Sequence, residues 1–208
     1  YGIIKALRRN PTSFYNMHYF SKTPFYFIGK DGIKRYAKYR VVPADGEPQT
    51  GVIDDPSIED LANQRILPFE TRGRNYLKYE YEDRVKKQEL SYLLSIQLRT
   101  ASDDDDPEIF NNMIPWSDQI FPWHDLAIIH IEKTLDWRES TRTTFSVNNM
   151  PRSLGVLPAK SIFDYNSLNY MRAHSEIARK ARMFSYKLWG MVPPIPDNDN
   201  RNVDEWGV

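Results

Sequence analysis

The chain has 208 residues, which fits one domain of ordinary size. Its 28 basic and 28 acidic residues cancel, which argues against a general nucleic-acid binder or a basic membrane-surface protein, since both need a positive field. It has no cysteine, so disulfides, thiolate metal sites, iron–sulfur clusters and thiol catalysis are excluded, while cytosol, organelle and export all stay open. A hydrophobic fraction of 40% supports a real core. No apolar run approaches the roughly 18 residues of a transmembrane helix. The chain opens on Tyr1 without a signal-peptide pattern, which reads as the inside of a longer polypeptide or a processed one.

Ile3, Ile4 and Leu7 stand at helical spacing, and Pro11 then suits a stop or restart. Ser13–Phe20 is aromatic and reads as a short helix or an extended lead-in. Phe25–Gly29 and Arg35–Val42 read as two strands joined by Lys30-Asp31-Gly32, because Asp-Gly between aromatic and β-branched runs is a hairpin signal. In the second strand, Tyr36, Lys38, Arg40 and Val42 point one way and Arg35, Ala37, Tyr39 and Val41 the other. Pro43–Pro56 reads as loop, and Tyr76–Leu90 as an amphipathic helix on Leu77, Tyr81 and Val85. From Leu90 onward, apolar residues alternate. The pattern places Tyr92, Leu94, Ile96 and Leu98 on a buried face, with Gln97 and Arg99 on the other. Leu126–Glu132 reads as a further strand with Ala127, Ile129 and Ile131 on one face. Asn166–Trp189 is helical in composition, and the Pro-rich, polar end from Pro193 to Asn200 reads as an arm or tail.

Motifs that carry chemistry are sparse. His18, His124, His130 and His174 make no metal-ligand spacing, and a structural or surface role is the plainer reading of each. Asp103–Asp106 offers oxygens to a hard cation but lacks the glycine and later glutamate of a calcium loop, so a solvated charged loop is the plainer reading. There is no G-x-S-x-G, P-loop or G-x-G-x-x-G. Arg182-Met183-Phe184-Ser185-Tyr186 puts a guanidinium one helical turn before a phenol. Tyrosinate is a known axial ligand of haem, and a neighbouring arginine favours the ionised phenol. An amphipathic core helix explains the same spacing.

The order of segments is more specific. Tyr19–Arg40, with Thr23-Pro24-Phe25 and the Asp31-Gly32 turn, resembles the stretch of haem catalases in which a T-P-F or H-T-F run and a D-G or N-G hairpin lead into a strand. Ser91–Arg99 resembles the next barrel strand of that family, and Trp116–Glu132, through Phe121-Pro122-Trp123-His124-Asp125-Leu126, the proline-containing approach to another. Phe145–Asn166 and the opening Ala6-Leu7-Arg8-Arg9-Asn10-Pro11 look most like the catalase-related allene oxide synthases, haem domains that dehydrate fatty acid hydroperoxides. The resemblance covers nearly the whole chain except the tail.

The resemblance implies an α+β fold: a catalase-like antiparallel β-barrel, partial in this chain, with C-terminal helices. Residues 1–190 are then the C-terminal portion of a catalase-like domain, and residues 191–208 a Pro/Asn/Asp-rich tail. It implies haem as cofactor and peroxide or fatty acid hydroperoxide as substrate. The alternative is a haem-free structural or interaction subunit. The family's distal histidine and asparagine fall upstream of this chain. They are expected from an upstream segment of the same polypeptide or from a partner chain that completes the barrel. Without that piece, apolar barrel surface is expected to be exposed. The proximal ligand has two registers. A gapless reading from Phe145 places the family's Arg-x-x-x-Tyr on Arg172 and Glu176, whereas Arg182 and Tyr186 match the R-L-F-S-Y run of ordinary catalases. Ten helical residues, about 15 Å, separate the two.

Overall fold

The computed structural model describes residues 9–53, 67, 69–136, 139–140, 143 and 145–188, with the side chains of 176–180, 182–183 and 185–188 left out. The expected first helix and the 191–208 tail lie outside these residues. Six strands form one antiparallel sheet: β1 (Tyr19–Phe20), β2 (Phe25–Ile28), β3 (Lys34–Pro43), β4 (Ser91–Thr100), β5 (Trp123–His130) and β6 (Leu154–Val156). Helix α1 spans Tyr76–Lys86 and α2 spans Ser167–Leu188. The spatial order is β5-β4-β3-β2-β6, and β1 pairs with β3 beyond the end of β2.

The hairpin forms where the Asp-Gly turn requires it. Phe25 pairs with Ala37 and Ile28 with Lys34, and Gly32 takes φ 73 to close the turn. Asp31 secures it. One carboxylate oxygen accepts from the Ile33 amide at 3.0 Å, and the other from Arg35 Nη2 at 2.6 Å. The Arg35 guanidinium, with help from the Ile33 amide, holds the Asp31 carboxyl down to about 2. A depressed carboxylate stabilises the fold above its unfolded value, near 3.9, and that contribution is lost as pH falls from about 4 through 2. The Asp31 carboxyl carbon should therefore titrate near 2 by NMR. Arg35→Leu should bring the midpoint back toward 4; an unchanged midpoint would refute the pairing.

Pro24, which cannot donate to a ladder, separates β1 from β2 along one side of β3. The Ser13–Phe20 lead-in is not a helix: it turns at Tyr15 and Asn16, where the Met17 amide donates to the Phe14 carbonyl at 3.3 Å, and then runs into β1. Ser21 bridges the interruption: its amide donates to the Tyr39 carbonyl and its hydroxyl accepts from the Tyr39 amide, both at 2.9 Å. Helix α1 is as expected but stops at Lys86, where Gln88 turns the chain with φ 56.

Two expectations need correction. The first concerns β4. Tyr92 and Ile96 are buried, but Ser95 and Gln97 on the opposite face are more so, at 0% and 1% exposed. The segment after β4 folds back over that polar face. Gln97 Nε2 donates to the Phe121 carbonyl at 2.6 Å and to Asp118 at 3.2 Å, and the Ser95 hydroxyl donates to Asp125 at 3.0 Å. Its strand neighbours are capped by rings. Lys38 Nζ lies 4.6 Å from the Trp116 ring centre, Arg40 4.7 Å from Trp123 and Arg99 5.4 Å from Phe121. Burial lowers the Lys38 pKa. The Ser95 and Gln97 side chains are thus buried with partners for their polar groups, whereas Arg40 Nε on the same face is buried without a hydrogen bond and meets the Trp123 ring. Of the acidic run, Asp105 belongs to this cover, while Asp103, Asp104 and Asp106 are exposed, as a solvated loop leaves them. Asp105 pairs with Arg99 at 2.8 Å, and Asp106 accepts from the Glu108 amide at the start of a short 3-10 turn.

The second correction concerns closure. Among the described residues the sheet is open, with β5 and β6 as its edges, and no barrel forms. Six strands fall short of the eight or so that close a small barrel. Strand β5 also begins three residues earlier than expected. Leu126 is an extra residue between Ala127, opposite Leu94, and Asp125, opposite Ser95. This bulge sets Trp123 opposite Gln97, while Ile129 stands opposite Tyr92.

The other face of the sheet carries the apolar core. Tyr15, Val85, Leu90 and Tyr92 are buried together, with Val41, Tyr81 and Ile131 packed against them. The strap at residues 50–52 holds the lead-in: the Asn10 amide donates to the Gly51 carbonyl at 2.9 Å. Gly51 has φ 80, and a Cβ there would collide with Asn10 and Pro11. Gly51→Ala should therefore cost about 2 kcal/mol or more, from backbone conformation and clash together. A urea melt that is unchanged would contradict this.

Candidate functional site

An apolar groove opens beside this core. It is lined by Phe14, Tyr19, Val41, Tyr81, Tyr92, Ile129 and Ile131 and has a volume of about 370 Å³. Each element supplies its part for a local reason. Tyr19 on β1 pairs with Val41 on β3, and Tyr92 on β4 with Ile129 on β5, so strand alternation turns all four side chains to one face. Phe14 points outward next to buried Tyr15, and its ring meets Tyr81 of α1 edge-on at 6.2 Å. Ile131 follows the strand and donates its amide to the Leu90 carbonyl at 3.0 Å. Val41, Tyr92 and Ile131 make the floor. Phe14, Tyr19 and Ile129 make the rim, at 40%, 41% and 37% exposed.

The polar atoms of the groove are phenol hydroxyls, and two of them donate within the protein. Tyr19 donates to the Phe14 carbonyl at 2.9 Å, and Tyr92 to the Tyr81 hydroxyl at 3.5 Å. Burial raises the pKa of both Tyr19 and Tyr92, and the contact with Tyr81 adds to the shift in each. The groove is therefore neutral at physiological pH. A haem iron takes an axial histidine, thiolate, methionine or phenolate. Neutral, mutually bonded phenols do not fit that role, so the groove itself does not fit an iron.

The expected site residues are distributed as follows. Helix α2 is unbroken from Ser167 to Leu188, so positions 182 and 186 share one helical face. The side chains of Glu176, Arg182 and Tyr186 lie outside the described residues, and Arg172 is exposed. The start of α2 is fastened to the sheet region: Asn169 bonds the Thr23 hydroxyl, and Asn148 Nδ2 donates to the Ala173 carbonyl at 2.8 Å. The donor chemistry of a phenol one turn after a guanidinium fits an iron-bound phenolate. The histidines have local partners or lie at the surface. His130 meets the Ser91 hydroxyl at 2.7 Å and His174 the Tyr170 carbonyl at 2.8 Å. His18 lies 3.5 Å from the Glu47 carbonyl, and His124 is exposed on β5. Sequence reasoning missed the groove. Its seven residues come from five separate segments, and each reads locally as core; the only trace was the abundance of tyrosine and phenylalanine.

No protein-family model matches the chain. A fungal catalase crystal structure superposes on it with a TM-score of 0.60 at 15% identity, covering 83% of this chain and 32% of that one. The chain therefore has a catalase-like fold. In sequence it is related to the allene oxide synthase-lipoxygenase protein of Plexaura homomalla, 36% identical over 176 residues, 83% of this chain and 16% of that protein. It is also 29% identical over 130 residues to the linolenate 9R-lipoxygenase of a Nostoc species, 61% of this chain and 16% of that protein. The chain thus spans about a sixth of the length of these two relatives. Among the described residues, no helix is long and apolar enough to cross a membrane.

Proposed function

We propose that this chain is the proximal portion of a haem-dependent unit that turns over a fatty acid hydroperoxide. Tyr186 is its iron ligand and Arg182 the charge partner of that ligand. The observation that carries this reading is a catalase-like fold with Arg182 and Tyr186 one turn apart on an unbroken helix. The relatives named as an allene oxide synthase and a linolenate lipoxygenase support a fatty acid-derived substrate. A bound haem would supply the redox chemistry of iron toward an O–O bond. Tyr186 would hold the group, and Arg182 would keep its phenol ionised. The distal histidine and asparagine come from an upstream segment or a partner chain, which also completes the sheet. Residues 1–190 are the C-terminal portion of the domain in this reading, and residues 191–208 an arm.

The neutral donor set of the groove and the open sheet favour a second reading, a haem-free structural or interaction subunit. One measurement separates them. The full-length protein, expressed with a haem precursor supplied, should show a Soret band and stoichiometric haem by pyridine haemochromogen assay. Its absence at every preparation would leave the haem-free reading.

A further inference from the structure

We propose that the groove between α1 and the β1/β3/β4/β5 face binds the hydrocarbon chain of a single fatty acid molecule. The inference rests on the lipid hydroperoxide reading and assigns it a place for the acyl tail. Four observations favour this occupant. The seven lining residues carry no charged group. The Tyr19 and Tyr92 hydroxyls already donate within the protein, so neither has a proton left to offer a polar ligand. The rim side chains Phe14, Tyr19 and Ile129 are large, apolar over most of their surface and left a third or more exposed. The volume, about 370 Å³, lies in the range of small-ligand pockets. A protein partner would need roughly 800 Å² on this side, far more than seven residues offer. The open rim lets the carboxylate stay in water while methylenes replace water against Val41, Tyr92 and Ile131.

The test uses the full-length protein and cis-parinaric acid, whose fluorescence rises on entering an apolar site. Stearate should displace it, and octanoate should need at least tenfold more, because affinity follows the number of buried methylenes. Ile129→Asp and Phe14→Asp put a carboxylate at the solvent-facing rim, so both should fold, as circular dichroism will confirm. Each should weaken parinarate binding at least tenfold. Ile162→Asp, at an exposed position outside the groove, should leave it unchanged. Equal binding by all three variants would overturn the proposal. So would capture by phosphatidylcholine vesicles without displacement by monomeric stearate. Haem content and hydroperoxide turnover without parinarate binding would reject the groove and leave the functional reading standing. Parinarate binding lost on Ile129→Asp in a protein without haem would do the reverse.

Discussion

Tyr15→Ala is expected to lower stability by about 3–5 kcal/mol, the cost of removing a large aromatic side chain from a packed core. That is a large share of the roughly 5–15 kcal/mol that holds a domain together. Tyr15 is 1% exposed. Its ring meets Tyr92 edge-on at 5.2 Å, and the Arg84 guanidinium sits 5.3 Å from its centre. Its hydroxyl donates to the Ser91 carbonyl at 3.0 Å, tying the lead-in to the first residue of β4 across 76 positions of sequence. Burial and the neighbouring Asp45 carboxylate push its pKa up to about 12, so the phenol remains a donor throughout the physiological range. Tyr15→Phe keeps the ring and removes one of the two donors to the Ser91 carbonyl, which still accepts from the Ala44 amide, for an expected loss of about 1 kcal/mol. Chemical denaturation of both variants checks the contrast. Equal losses would mean that the hydroxyl, not ring packing, holds this corner.

Tyr186→Phe is expected to abolish the Soret band of the full-length protein, an all-or-none effect. A phenol with an ordinary pKa near 10 needs a cation about one turn away to serve as phenolate at neutral pH, and phenylalanine keeps the shape while removing the oxygen. Arg182→Leu should weaken or shift the band, because ionising the phenol becomes costlier. Glu176→Gln should leave it largely intact, since a carboxylate is not among the usual axial ligands of haem. The opposite pattern, a band that survives Tyr186→Phe and is lost in Glu176→Gln, would transfer the site to the Arg172 and Glu176 register. Circular dichroism separates ligand loss from unfolding.

Elements fixed by near neighbours were legible in the sequence. The Asp31-Gly32 turn sets the β2–β3 register through a turn geometry and a carboxylate anchor, all within five residues. Strand and helix periods placed β4, α1 and α2, and the order of segments carried the likeness to catalases. Tertiary structure alone decided the rest. Gln97 reads as a solvent-facing polar residue until Asp118 and Phe121, more than 20 residues onward, fold over it and satisfy its amide. Leu126 reads as a strand residue until the β4 ladder makes it a bulge. The groove needs Phe14, Tyr81 and Ile129 at one place, and no local pattern links them. Backbone conformation follows from neighbours in sequence, whereas burial, partner choice and cavity shape depend on which distant segment covers a given face.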